Sequence, residues 1–560
     1  MKAVDDNDLL SKNKKPFKYF FQMKRQKILF SIFFLALIAI SFGVKLIEFD
    51  NPYSGFHQKR QLDNLVSMED YFLEGTDLLK RRTVAGEYVL YELPVYQTLT
   101  ALLSPSPDKI VSTARIINLV FALLSLALLF KIATTWFGVK TAIYSTLFFA
   151  FAPLNLMYHR SIMMDVSSVF FCLAATWLLV EYLENKKTLW KSLLFVAAGG
   201  LSVATKPLYF FPVGAIALAN YIIQYRSPFF ANASNYVKKN LGLVTSFILI
   251  TGMLFGWLRA VAVVASQTPD FAAGLSDYGL GSMSNWGFLL SLKFYALLIF
   301  RTFFLILNPF TCLLFMIGMV LIWTCYRKKD AIALLFSIPL YYIIFGQLNF
   351  PHEYYSLIMV PYCSLAAGVG AVWLEERLSL DNLIRSRELI LWIFCIFSSV
   401  VSVLIFILNF IIGSQNLEQK PVQIEREMHS VLVPRQQAHV YINAANFPLS
   451  DYVKHNRSLY LLHALNVKSE EDIRTYGEPI TLHEILYALR QFGSIETTDS
   501  SIPQIDIDLL QVKYQKKLRY VMFYRYSGKW KSQIKEKMSG YQAFYESRDW
   551  VVYDLTKEGR

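Results

Sequence analysis

Residues 28–47 read ILFSIFFLALIAISFGVKLI, and almost at once comes the polar stretch Phe49–Gly75, FDNPYSGFHQKRQLDNLVSMEDYFLEG. The first run has the length and apolarity to cross about 30 Å of hydrocarbon as an α-helix. It is too long for a signal-peptide core and no small-residue cleavage site follows it, so it reads as a retained span. The second stretch is polar, and with its continuation to Tyr96 it forms a charged loop between apolar segments. Loops held by a rigid scaffold are where binding and chemistry concentrate.

Outward from this pair, the pattern repeats. The chain has 560 residues, 54% of them hydrophobic. Apolar segments follow near 115–136, 140–157, 166–183, 190–205, 207–223, 241–263, 303–326, 331–348, 355–374 and 389–412. With 28–47 these predict eleven spans, within a range of 11–13. Residues 1–27 carry eight lysines or arginines, which sets the N-terminus in the cytoplasm. Eleven crossings then place Glu184–Lys191, Gln224–Asn240, Tyr326–Asp330 and Glu375–Glu388 on the inside, and all four are basic-rich. Trp286–Leu307 is a candidate twelfth crossing. It is read instead as a helix at the outer interface, with Lys293 and Arg301 at the polar boundary.

The formal charge of +13 belongs to this orientation pattern rather than to nucleic-acid binding. Cys172, Cys312, Cys325, Cys363 and Cys395 all lie in or beside apolar segments, so the loop and the tail hold no disulfide framework or CxxC metal signature. After 412 the composition changes. Residues 415–560 are charged and lack a spanning run. Candidate strands His439–Ala444, Ser458–Leu462, Tyr520–Tyr526 and Trp550–Leu555 alternate with candidate helices Leu482–Phe492 and Trp530–Met538. This predicts a small α/β domain. The organisation is therefore a basic N-terminus (1–27), a membrane domain (28–412) with a large outer loop (48–110), and an extracytoplasmic domain (415–560).

Ionisable residues beside membrane spans are costly and tend to mark function. On the eleven-span map they share one side. Asp50, His57, Arg60, Gln61, Asp63 and Glu92 lie in the first outer loop; His159, Arg160 and Asp165 in YHRSIMMD; Lys206 in ATKP; and His352 and Tyr355 in HEYYS. Arg60, Arg160 and Lys206 suit a phosphate, arginine by bidentate hydrogen bonds and lysine as a point charge. A first-loop carboxylate suits the deprotonation of an acceptor hydroxyl or amine. Each residue also has a plainer reading: His57 as a loop-helix cap, Arg60 with Asp63 as a local ion pair, Glu92 ending a turn, Arg160 and Lys206 snorkelling, Asp165 as a helix N-terminal acid, and His352 with the tyrosines as interfacial anchors. Their coincidence on one face is what favours a site. The carboxylates permit a divalent cation, though no ligand spacing demands one.

The order of these features resembles the bacterial membrane-embedded GT-C glycosyltransferases, in the group of protein O-mannosyltransferases and lipid A aminoarabinose transferases. The resemblance rests on His57-Gln-Lys-Arg60-Gln61, an HxxRQ pattern, followed by ELPVYQTLTALL (Glu92–Leu103), APLNLMYHRSIMMDVSSVFF (Ala152–Phe171), TKP (Thr205–Pro207) and HEYYSLIMVP (His352–Pro361). It covers roughly residues 28–375. It implies an inverting transferase that takes a sugar from a polyprenyl-phosphate donor to a lipid, protein or glycan acceptor at the outer face of a bacterial cytoplasmic membrane. It implies Asp63, then Asp50, as the base, and Asp165 as a second acid. His57, Arg60, Gln61, Glu92, His159, Arg160, Lys206, His352 and Tyr355 would then surround the donor. The group's base often lies in an Asp-Glu pair, a pattern this loop lacks near the motif. A flippase for lipid-linked sugars and a surface-polysaccharide polymerase or ligase are the rival readings.

Overall fold

The computed structural model describes residues 32–47, 49, 57–79, 92–184, 188–224, 233–267, 286–326, 329–350, 352–380 and 387–414, together with five strands and short adjoining pieces after 437. Residues 32–45 form the first helix. The polar loop contains two helices, Gln58–Glu74 and Val95–Leu103. The helices Ile110–Phe137, Asp165–Leu183, Leu241–Val264 and Glu353–Arg377 are each long and apolar enough to cross a bilayer. Shorter apolar helices include Val139–Phe151, Leu189–Thr205, Pro207–Ile222 and Trp392–Leu408. The chain is a multi-pass membrane protein.

Proline sets the breaks that matter. A residue before proline is pushed out of helical conformation. Lys206, before Pro207, is extended at φ −156° and ends the helix Leu189–Thr205. Ala152, before Pro153, divides the expected span 140–157 into Val139–Phe151 and Pro153–Tyr158. Asn308, before Pro309, is extended, and its side chain caps the next helix by accepting from Thr311 N at 3.0 Å. There Leu292–Ile306 meets Pro309–Thr324 at 108°, a broken span or a re-entrant pair, so the expected span 303–326 is not one continuous helix.

Burial separates the middle of the bundle from its rim. In the Glu353–Arg377 helix 89% of the spanning window is covered by protein, against 11% for Leu241–Val264, whose Ile248 and Phe255 face outward. The covered helix is gripped on two sides by small residues. A Cβ on Gly318 would fall 1.8 Å from the Ala366 carbonyl oxygen, and one on Gly370 would fall 2.1 Å from that of Leu314. On the other side a Cβ on Gly368 would fall 2.1 Å from Ser145 Oγ. Hydrocarbon solvates apolar side chains as well as protein does, so this close backbone approach is what holds such helices together.

After residue 437, the strands β1 (Ala438–Asn443), β2 (Gly493–Thr498), β3 (Leu518–Tyr524), β4 (Tyr541–Glu546) and β5 (Trp550–Glu558) form one sheet in the order β2-β1-β3-β5-β4. β1 runs parallel to β2 and β3, and the β3-β5-β4 edge is antiparallel. Three expected strands correspond to β1, β3 and β5. β2 and β4 were not expected; Gly493–Thr498 reads GSIETT, with Ile495 its one large apolar residue, and Tyr541–Glu546 reads YQAFYE. The expected strand at 458–462 and helix at 482–492 lie outside the described residues, as does most of the expected helix 530–538.

Candidate active site

The loop helix Gln58–Glu74 docks on the segment 161–163 through amides. Gln61 Oε1 accepts from Ile162 N at 2.8 Å, and Asn64 Nδ2 donates to Ile162 O at 2.8 Å. Gln97 Nε2, from the second loop helix, donates to Asn64 Oδ1 at 2.8 Å. Asn118 Nδ2 donates to the carbonyls of Ser161 and Met163 at 2.6 and 3.0 Å. All four amides are fully buried. Residues 61, 64, 65 and 68 share one helix face, so Leu65 and Met68 bury apolar surface beside these bonds. An irregular buried segment needs partners for its backbone, and this ladder supplies them.

With the loop helix fixed, Arg60 reaches Glu92 Oε2. Glu92 Oε1 lies 4.0 Å from Lys206 Nζ, which in turn donates to Asp165 Oδ1. Asp165 opens the helix Asp165–Leu183 and is 1% exposed. The Tyr209 hydroxyl lies 2.7 Å from the same Oδ1 and 2.9 Å from the Tyr354 carbonyl oxygen. The result is an alternating chain, Arg60–Glu92–Lys206–Asp165, of two cations and two anions. The Lys206 ammonium also faces the rings of Tyr355, Tyr354 and Tyr209 at 4.7, 4.8 and 5.1 Å, a cage that favours a charged nitrogen. Burial opposes the Arg60 charge, but Glu92, the nearby tyrosines and Asp63 more than offset it and keep the guanidinium protonated.

Beside this chain stands a second group. His57 Nε2 lies 3.0 Å from Glu353 Oε1, and Tyr158 donates its hydroxyl to the same oxygen at 2.7 Å. His57 sits at φ 53°, ψ 46°, and among the described residues no other non-glycine has positive φ. That conformation costs roughly 1–3 kcal/mol and persists only where the surroundings enforce it. The rings of Tyr354 and His352 pack on His57 at 4.8 and 5.7 Å, and Tyr355 packs on Tyr354 at 4.5 Å. Burial and then the neighbouring His57 push His352 down to about 4, so its imidazole is neutral.

The expected residues thus separate. Arg60, Glu92, Lys206 and Asp165 form the ionic chain, while His57, His352 and Tyr355 line its flank. Gln61 is a docking residue. Asp63 is 7% exposed on the same helix as Arg60, close enough to influence its charge. Arg160 and His159 turn toward the first span: Arg160 donates to the Ile47 carbonyl, and His159 is within reach of the Lys45 charge while packing 5.8 Å from the Phe149 ring of the helix Val139–Phe151. Asp50 lies outside the described residues. Tyr158, Tyr209 and Glu353 are the additions. Glu353 follows His352 at the start of an apolar run, and that position was the one signal available for it. Among the described residues no group of three or more His, Cys, Asp or Glu side chains is arranged to hold a metal ion.

The sequence pattern of the family described as dolichyl-phosphate-mannose-protein mannosyltransferase matches residues 98–263. No curated protein matches the chain in sequence. In structure, the chain is similar to ArnT from Cupriavidus metallidurans bound to undecaprenyl phosphate, with a TM-score of 0.56 at 12% identity, covering 93% of this chain and 97% of that one. The apo state of the same protein gives 0.52 at 13% identity, covering 93% and 98%. The apo oligosaccharyltransferase of Archaeoglobus fulgidus gives 0.48 at 10% identity, covering 91% and 72%. The GT-C fold read from the ordered motifs is therefore the fold of the chain.

Proposed function

We propose that this protein is a membrane glycosyltransferase that moves a sugar from a polyprenyl-phosphate donor to a lipid, protein or glycan acceptor, with inversion at the anomeric carbon. The observation that carries this reading is the chain Arg60–Glu92–Lys206–Asp165, which gathers residues from four separate segments at one end of the bundle. The similarity to a fold that holds undecaprenyl phosphate in ArnT supports the donor class. Arg60 and Lys206 are the cations for the donor phosphate. Asp63, on the helix that carries Arg60, takes the acceptor proton, and the aromatic flank of His352, Tyr354 and Tyr355 offers faces for a sugar ring. The basic residues 1–27 support the reading that this end of the bundle faces away from the cytoplasm.

The test is transfer itself. Purified protein is supplied with polyprenyl-phosphate sugars and with membrane extract as the acceptor source, and the wild type is compared with Lys206→Ala and Asp165→Asn. Loss of transfer in both variants, each still folded, is expected. Unchanged transfer in either would remove this site from the reaction. Movement of the intact lipid-linked sugar across vesicles without bond formation would favour a flippase instead.

A further inference from the structure

Glu353 and Tyr158 hold His57 in a way that the donor-binding reading leaves unexplained. The left-handed backbone of His57 serves no capping role, since its side chain makes no hydrogen bond to the start of the helix it precedes. What the conformation achieves is to bring Nε2 to 3.0 Å from Glu353 Oε1. A carboxylate on one ring nitrogen accepts its N–H and fixes the orientation of the ring. Nδ1 is the ring nitrogen on the other side from Glu353. The His57 side chain is 25% exposed, so a ligand can reach it. Arg60 lies in the first turn of the helix that His57 precedes, and His352, which packs on the His57 ring, is within reach of the Arg60 and Lys206 charges. The groups facing the ring are Glu353, Tyr158, His352 and Tyr354. Of these His352 is unsuited to proton donation, being held neutral by burial and by His57.

We propose that His57, aimed by Glu353 and Tyr158, donates a proton to the departing phosphate oxygen as the sugar–phosphate bond breaks. This rests on the glycosyl-transfer reading above and adds a proton donor to it. The electron pair of the anomeric C–O bond goes to the phosphate oxygen, and that oxygen takes the proton from His57 Nδ1. The acceptor's oxygen or nitrogen bonds to the anomeric carbon and gives its proton to Asp63. Water returns the proton to His57 between turnovers. Glu353 is a positioning residue, acting through His57, and Tyr158 holds Glu353.

Undecaprenyl phosphate is the probe, since it is the leaving group in this class of reaction. Its affinity and its phosphorus NMR shift are measured with the purified full chain in detergent near neutral pH. Wild type is expected to hold the phosphate in its monoanionic form. His57→Asn, which tolerates a left-handed backbone, is expected to bind at least about tenfold more weakly, the loss of one charge-assisted bond, and to show the dianion shift. Glu353→Gln is expected to weaken binding similarly and to move its pH dependence, relative to wild type, to lower pH. The double variant is expected to be no worse than His57→Asn. His57→Gly is expected to fold at least as stably as wild type while losing the same affinity. Binding unchanged in His57→Asn, or additive losses in the double variant, overturns the relay. Wild type failing to bind undecaprenyl phosphate at all would overturn the donor reading and this inference with it, an outcome distinct from either variant result.

Discussion

Glu92 Oε1 lies 4.0 Å from the Lys206 ammonium, and this single contact joins the Arg60–Glu92 and Lys206–Asp165 pairs into one chain of four charges. The side chains of Glu92, Lys206 and Asp165 are 10%, 4% and 1% exposed, so solvent does little to screen them. Charges this buried are tolerated only while each has its partner.

Lys206→Met is therefore expected to destabilise the protein by about 3–5 kcal/mol, because it leaves Asp165 buried without its cation. Adding Asp165→Asn should recover part of that loss by removing the stranded charge. Thermal unfolding of the two variants in detergent measures both steps. A double variant less stable than Lys206→Met would show that the pair is not coupled.

The amide ladder should control the loop without controlling the bundle. Gln61→Leu leaves the buried Ile162 N–H without its acceptor, a cost of about 1–3 kcal/mol. Proteolysis within 58–74 should accelerate in this variant while the membrane domain stays intact. Equal protection of the loop in variant and wild type would refute the docking role.

Gly370→Val is expected to open the bundle at the most covered of the four spanning-length helices. The added Cβ alone would fall 2.1 Å from the Leu314 carbonyl oxygen, and backbone cannot move aside as a flexible side chain can. Unfolding temperature should drop markedly, whereas Gly252→Val, where a Cβ meets nothing within 4 Å, should change it little. Similar behaviour of the two variants would contradict the close helix crossing.

His352 predicts a pH dependence of stability. Its folded value of about 4 lies below the ordinary 6.5, so the unfolded chain binds the proton more readily. The stabilisation present above about 6.5 should fall as pH drops toward 4 and level off beneath it. His352→Gln should flatten that slope, as read from unfolding temperature against pH. An unchanged slope would show that His352 titrates normally in the fold.

The sequence by itself determined the membrane domain, because spanning runs must be long, continuous and apolar and so leave a local signal. Proline likewise wrote the breaks at Ala152, Lys206 and Asn308 into the order of residues. Asp165, Lys206, Arg60 and Glu92 were legible as candidates because charge at the edge of a span is costly wherever it occurs. Only the tertiary structure decided their partners. Arg60 and Glu92 could each have closed a local turn, and the Glu353–His57 contact spans 296 positions of chain, beyond any periodicity. Arg160 and His159, drawn to the same side by sequence, turn toward the first span instead, because neighbouring side chains on a short buried segment point in different directions. The sharing of a membrane face is set by topology and can be counted along the chain. The sharing of a pocket is set by packing between distant segments, which no local pattern records.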